Sequence, residues 1–378
     1  MNDRLRKLGS HPMVALEQHR RELQARGVTV FDFGSGDAAE PTPPFVRNAL
    51  GAALAPVSRS PAVAGRADLR LAIAEYLRRR FAVAVDPERE VLPTLGSQEP
   101  LFHLPPVLVQ VPSDKDLVLY GEPADPVYEI GALFAEAWTY AVPLRAGDRW
   151  GMEPDAVPEA VLRRAAVVFL NSPHDPTGLC VPDAIAKAWV AAREQFGFTL
   201  VADESHADLW YGSARPRSLL EFGRCGCLSV QSLGTRSGMT GYCSGFVAGD
   251  ADVITEYRRC RAAMGTAPQD FVQAASIEAW RDDAHVAERR AAFGKKREVM
   301  LALFAQLGLP VAASNASPFL WVGTPSGTGD EAYAERCRAR GILVAPGSWI
   351  GRGQDRWFRV SLAPSLADCK AAAAAWPR

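Results

Sequence analysis

Residues 231–250 read QSLGTRSGMTGYCSGFVAGD. A polar, glycine-rich loop sits here between two β-like runs, 228–231 and 246–248. Working outward, runs of the same kind occur at 91–95, 117–120, 138–142, 167–170 and 198–202. Helical stretches separate several of them, at 99–109, 126–136 and 182–194. Strands alternating with helices predict a mainly parallel, doubly wound sheet of seven strands. In such sheets ligands collect beyond the carboxyl ends of the strands. The polar motifs of this chain begin where the runs end, which is the context a binding site needs.

Around this central pattern, residues 11–27 and 68–83 read as amphipathic helices, the second apolar at Leu69, Ile73, Tyr76 and Leu77. A long helical region spans about 251–307, interrupted by AAMGTAPQDF. The last stretch holds PFLWVG, ILVAPG and WFRVSL as strands with helices around them. The expected division is an N-terminal arm or small-domain segment over 1–40, a large α/β domain over 41–275 and a smaller α+β domain over 276–378.

The 378 residues are 48% apolar and 22% charged, with a formal net charge of -1, enough for one large domain and a smaller one. That charge balance gives no reason to expect nucleic acid or a membrane surface as a partner. The first 27 residues are charged throughout, so no signal peptide is expected. No apolar run approaches the ~18 residues of a membrane span. Seven scattered cysteines, of which only Cys225 and Cys227 are close, predict free thiols and a cytoplasmic protein.

NSPHDPTG (171–178), VADESHADLWY (201–211) and SGMTGYCSGFVAGD (237–250) together resemble motifs of the fold-type I, class I/II aminotransferases, in particular the acyl-diaminopimelate branch. The likeness runs in order from about residue 30 to the C-terminus. It implies an α/β fold-type I architecture, a homodimer and pyridoxal phosphate as cofactor. It also implies roles for particular residues. Ser97 and Gln98, after Gly96, would offer backbone N–H groups to the cofactor phosphate, as helix N-termini do for anions, and Ser232 would add a hydroxyl. Tyr128 would stack on the pyridine ring. Asp203 would pair with the pyridine nitrogen and keep the ring an electron sink. Arg359 would clamp a substrate carboxylate, with Gly34 and Gly36 shaping the loop beside it.

The departures from the family pattern carry as much information. Where the family reads SLSK, this chain has Ser232-Leu233-Gly234-Thr235, so the resemblance puts Thr235 at the Schiff-base lysine and Gly234 at a second phosphate serine. Cys243 stands for an arginine of the phosphate site, and Ser60 for a tyrosine that reaches across the dimer. Asp175 and His206 replace an asparagine and a tyrosine that hydrogen-bond the ring's phenolate. A hydroxyl cannot form an imine, and none of the six lysines (Lys7, Lys115, Lys187, Lys295, Lys296, Lys370) stands at a strand's carboxyl end.

Three readings follow. In the first, the pocket is repurposed: Asp175, Asp203 and His206 converge, with His206 as proton carrier oriented by Asp203, or the trio holds a divalent metal. Here the ligand is an amino-acid-derived or carboxylated small molecule, and no cofactor is held covalently. In the second, the chain is a non-catalytic subunit beside an active homologue. In the third, pyridoxal phosphate or its amine form binds without a covalent link and His206 acts as base. His174 and His103 are further candidates near the pocket, whereas His11, His19 and His285 read as surface helix residues. His206 could also simply fill the tyrosine's space.

Overall fold

The computed structural model describes residues 12–55 and 59–378; Lys7 and His11 lie outside the described residues. In chain order the strands are β1 (Phe31–Asp32), β2 (Val91–Thr94), β3 (Leu117–Glu122), β4 (Trp138–Pro143), β5 (Ala165–Asn171) and β6 (Thr199–Asp203). There follow β7 (Cys227–Ser232), β8 (Gly245–Gly249), β9 (Phe319–Gly323), β10 (Ile342–Leu343), β11 (Ala345–Pro346) and β12 (Trp357–Ser361). The seven β-like runs of the first two-thirds form one sheet in the order β2-β8-β7-β6-β5-β3-β4. Its pairs are parallel except those of β8, which runs antiparallel to both β2 and β7.

The continuous apolar character of the inner strands follows from burial of both faces of the sheet. Successive side chains alternate sides: on β5, Val168 and Leu170 join one buried cluster while Val167 and Phe169 join another. β6 divides likewise, Leu200 and Ala202 to the first and Val201 to the second. A third cluster, built on Phe33, Leu320, Phe358 and Val360, packs around the smaller antiparallel sheet β11-β12-β9. The two-residue strand β1 pairs with β10 in parallel, so residues near the N-terminus join the C-terminal part of the chain.

The region 251–307 resolves into helices Ala251–Met264, Asp270–Arg281 and Ala284–Gln306. His285 begins the last of these and departs from its expected surface position. It is buried, with Nε2 2.9 Å from Ser237 Oγ and Nδ1 2.6 Å from Asp282. The helix turns its first residues toward the short helix Leu233–Ser237, which a polar residue in a helical pattern does not announce. His19 is half-buried, its ring 6.4 Å from that of Trp349.

One buried polar network fastens the opening loop to the core. Asp208 accepts hydrogen bonds from Tyr76 Oη (2.9 Å), Arg80 Nε (2.9 Å) and Arg236 Nε (2.7 Å). Arg236 also donates to the Ala279 carbonyl at 2.6 Å and lies over the rings of Tyr76 and Trp280. All seven cysteines are free thiols, with Cys225 on the surface and Cys227 in the core. Among the described residues no helix is long and apolar enough to cross a membrane.

Candidate active site

The carboxyl ends of β5, β6 and β7 and the turn after β2 open onto a cavity of about 520 Å³, closed opposite by the 36–37 loop, Phe319 and β12. Register builds its floor: Asn171, last in β5, stands beside Asp203, last in β6. Asn171 Nδ2 donates to the Asp203 carbonyl (2.9 Å), and its Oδ1 accepts from the Asp175 amide (2.7 Å). Asn171 therefore ties the end of the sheet to the loop carrying Asp175.

Asp203 is buried and held by three donors. Tyr128 Oη donates to Oδ2 at 2.7 Å, and Ser205 donates to Oδ1 through its amide (3.1 Å) and its hydroxyl (2.5 Å). Burial and the adjacent Asp203 carboxylate push the Tyr128 phenol far up, so it remains a donor at neutral pH. A Tyr128→Phe variant would leave Asp203 one donor short in a buried setting. It is expected to lose about 1–3 kcal/mol of unfolding free energy, read by urea denaturation.

Tyr128 itself does not line the cavity, contrary to the stacking role expected for it. Its ring stacks on Phe169 (4.6 Å between centroids, 20° between planes), in the core behind Asp203. The segment presents Asp125 and Pro126 to the cavity instead. Asp125 was not anticipated, although an aspartate before proline at the head of a helix is a legible capping signal. Its Oδ1 accepts from the Val127 amide (2.9 Å), and its Oδ2 from Gln98 Nε2 (2.7 Å). Burial, against those two donors and with Asp175 and Asp203 nearby, leaves its carboxyl above the ordinary carboxylate range.

Gly96, at φ +75°, makes the left-handed turn that glycine adopts freely and points Ser97 and the helix Gln98–Leu108 at the cavity. Ser232 caps the short helix Leu233–Ser237, its Oγ accepting from the Gly234 amide at 3.1 Å. Gly234 and Thr235 line the cavity, whereas exposed Cys243 and exposed Ser60 do not. Cys243 holds a left-handed φ of +48°.

His206 stands in the wall with Nδ1 3.1 Å from Thr235 Oγ1 and its ring edge-on to Phe319, 5.7 Å between centroids. No hydrogen bond joins it to Asp203. Asp203 is instead engaged with Tyr128 and Ser205, and the hydrogen-bond partner of the imidazole is Thr235. Burial lowers the imidazole's pKa, Asp175 and Asp203 pull it up, and Arg359 adds to the lowering; the net direction is down, toward the neutral ring.

Arg359, in the middle of β12, points its Nη1 at the Asp175 carboxylate (3.1 and 3.3 Å). Its Nη2 is 3.3 Å from the Gly34 carbonyl, and its guanidinium lies 4.3 Å above the Phe319 ring. The Nε is buried with no hydrogen-bond partner among the described residues. Gly36 lines the cavity beside it. The expected carboxylate clamp is thus already engaged by a carboxylate of its own chain.

The trio of Asp175, Asp203 and His206 does border one cavity, but the described residues contain no group of three or more carboxylate, histidine or cysteine side chains able to hold a metal ion. Asp175 turns to Arg359 and Asp203 to Tyr128, which disperses the proposed ligands. His174 and His103 lie elsewhere. His174 is buried between Thr177 (2.8 Å) and the Pro123 carbonyl (3.1 Å), in the wall of a separate, mostly apolar cavity. His103 packs against Phe102 and Tyr257. Among the described residues no lysine lines the site cavity. Lys115 donates to backbone carbonyls of Ala165 and Phe196, and Lys296 is paired with Glu40.

A family model described as aminotransferase class I and II matches residues 28–375. The chain belongs to this family. Among its relatives is the LL-diaminopimelate aminotransferase of Aquifex aeolicus, 29% identical over 96% of this chain and 94% of the relative. Among solved structures, the aspartate aminotransferase of Thermus thermophilus with maleate superposes with a TM-score of 0.91 at 26% identity, covering 99% of this chain and 98% of that one. A probable N-succinyldiaminopimelate aminotransferase, also from Thermus thermophilus, gives a TM-score of 0.88 at 26% identity, covering 96% and 98%. The seven-stranded sheet is that of fold-type I aminotransferases, and the family's ordinary cofactor is pyridoxal phosphate.

Proposed function

We propose that this family member does not transaminate, and that it binds an amino-acid-derived small molecule in the site cavity and moves a proton on it without a covalent cofactor. The observation that carries the reading is the pair at the carboxyl ends of β6 and β7. Where an imine-forming amine would be needed, His206 and Thr235 face each other at 3.1 Å and no lysine lines the wall. A threonine hydroxyl cannot hold an aldehyde as an imine. The backbone amides of Ser97 and Gln98 and the Ser232 hydroxyl are suitable for a phosphate, but the wall's arginine is engaged by Asp175. This donor set does not fit covalently held pyridoxal phosphate.

In this reading Thr235 holds His206 by Nδ1 and leaves Nε2, which makes no hydrogen bond among the described residues, to take a proton from the ligand. The lowered pKa keeps the ring neutral and therefore basic at neutral pH. Asp203, fixed by Tyr128 and Ser205, presents a carboxylate that cannot swing away. A ligand carboxylate, where there is one, finds Arg359 already paired with Asp175. The chain acts as a homodimer, as is typical of its family.

The test is direct. The purified full chain is mixed with pyridoxal phosphate, scanned for the visible absorbance of a protonated imine, and then reduced with borohydride for intact-mass measurement. The expected outcome is no imine band and no mass increment. A reducible, stoichiometric adduct overturns the reading. A chain that binds no small amine or amino acid at all would instead favour a non-catalytic subunit.

A further inference from the structure

The charge balance of the wall narrows the ligand further. Among the described residues the cavity is lined by four carboxylates, Asp37, Asp125, Asp175 and Asp203, against the single guanidinium of Arg359. That guanidinium is already neutralised by Asp175 at 3.1 Å. His206 adds no charge while it is neutral. What remains facing the cavity is negative: Asp125 receives only neutral donors, Gln98 and a backbone amide, and Asp203 only the Tyr128 and Ser205 hydroxyls and an amide. Neutral donors satisfy lone pairs but do not cancel charge, and enclosed carboxylates without a counter-charge are costly.

The aromatic part of the wall points the same way. Phe319 and Trp349 both border the cavity. Phe319 already carries one cation on its face, the Arg359 guanidinium at 4.3 Å. The Trp349 ring offers an electron-rich surface of the kind that attracts an ammonium group.

Resting on the reading that no cofactor is held covalently, the geometry points to a small organic cation, a primary amine or diamine, as the ligand class of this cavity. Its ammonium group, with three donors and one positive charge, supplies the counter-charge that Asp125 and Asp203 lack. Dicarboxylates meet the same wall as a like charge and are disfavoured by repulsion. The Asp175–Arg359 pair is the device that sets this preference, because it withdraws the wall's cation from any incoming anion.

Calorimetric titration of the full chain with cadaverine and with glutarate, which share a five-carbon backbone, tests the inference. The unchanged chain is expected to bind cadaverine at least about tenfold tighter than glutarate, with affinity falling as salt is raised. Asp175→Asn, which frees Arg359, is expected to raise glutarate affinity and lower cadaverine affinity, each by about tenfold. Asp125→Asn is a second variant at a different carboxylate and is expected to weaken cadaverine alone. Glutarate binding as tightly as cadaverine, no binding of either, or a ratio untouched by both substitutions overturns the inference. The borohydride experiment separates the two failures. An adduct in a chain that still prefers cadaverine sinks the non-transaminating reading only, and glutarate preference without an adduct sinks the cation preference only.

Discussion

Asp208→Ala is expected to lower the unfolding free energy by about 3–5 kcal/mol, the cost of leaving a buried charge uncompensated. The carboxylate is shared by Arg80, Arg236 and Tyr76, and the Arg236 side chain is only 2% exposed. Burial works against ionising Asp208, but the Arg236 and Arg80 guanidiniums outweigh it and hold its carboxyl below the usual carboxylate range. A depressed acid stabilises the fold above its unfolded pKa. The contribution is therefore complete at neutral pH and is lost only as pH falls below that range. Urea denaturation of the variant, followed by tryptophan fluorescence, measures the loss. A change under about 1 kcal/mol would mean that the solvent-exposed partner of Arg236, Asp283, suffices, a value usual for surface pairs.

His206→Asn is expected to slow proton exchange on a bound ligand by about 10²–10⁴-fold, the range a positioned general base contributes. The readout is uptake of deuterium from solvent at a ligand carbon next to a carbonyl group, which can take up the electron pair as an enolate, followed by NMR with amino-acid-derived ligands that bind the unchanged chain. The pH profile adds a sign. A base whose pKa lies below the ordinary imidazole value works in its neutral form, so the rate should be flat at neutral pH and fall only on the acid side. Thr235→Val, which removes the hydroxyl 3.1 Å from Nδ1, should reduce the rate less than loss of the ring and move the acid-side midpoint. An unchanged rate in His206→Asn would reduce that residue to a space-filler.

The architecture was legible in the sequence because period and burial agree. The apolar-rich runs of β5, β6 and β7 are what a sheet covered on both faces demands, and the glycine at 96 marks the turn its φ requires. The site was legible only as a set of neighbours. That Asp203, His206, Thr235 and Arg359 border one cavity follows from strand ends and motif order, but which partner each side chain takes does not. Asp203 was expected to orient His206, and its engagement with Tyr128 instead depends on Tyr128 entering the core against Phe169 rather than the cavity. Arg359 reads as a free clamp in WFRVSL; its capture by Asp175, 184 residues away in sequence, is a tertiary event with no local signal. The capping pattern of Asp125 before Pro126 is local and readable. Its facing the cavity is not, because that depends on Tyr128, three positions on, turning into the core.

The loop quoted at the outset assigns adjacent residues to opposite tasks. Thr235 faces the cavity, Arg236 is clamped in the core by Asp208, and the Thr235 carbonyl is held by Arg289 Nε at 3.1 Å. The backbone at this position is thus pinned through its own main chain and its neighbour, whatever side chain it bears. Cavity lining and scaffolding are decoupled at the level of single residues, so the side chain at 235 can be exchanged without disturbing the contacts that hold its backbone.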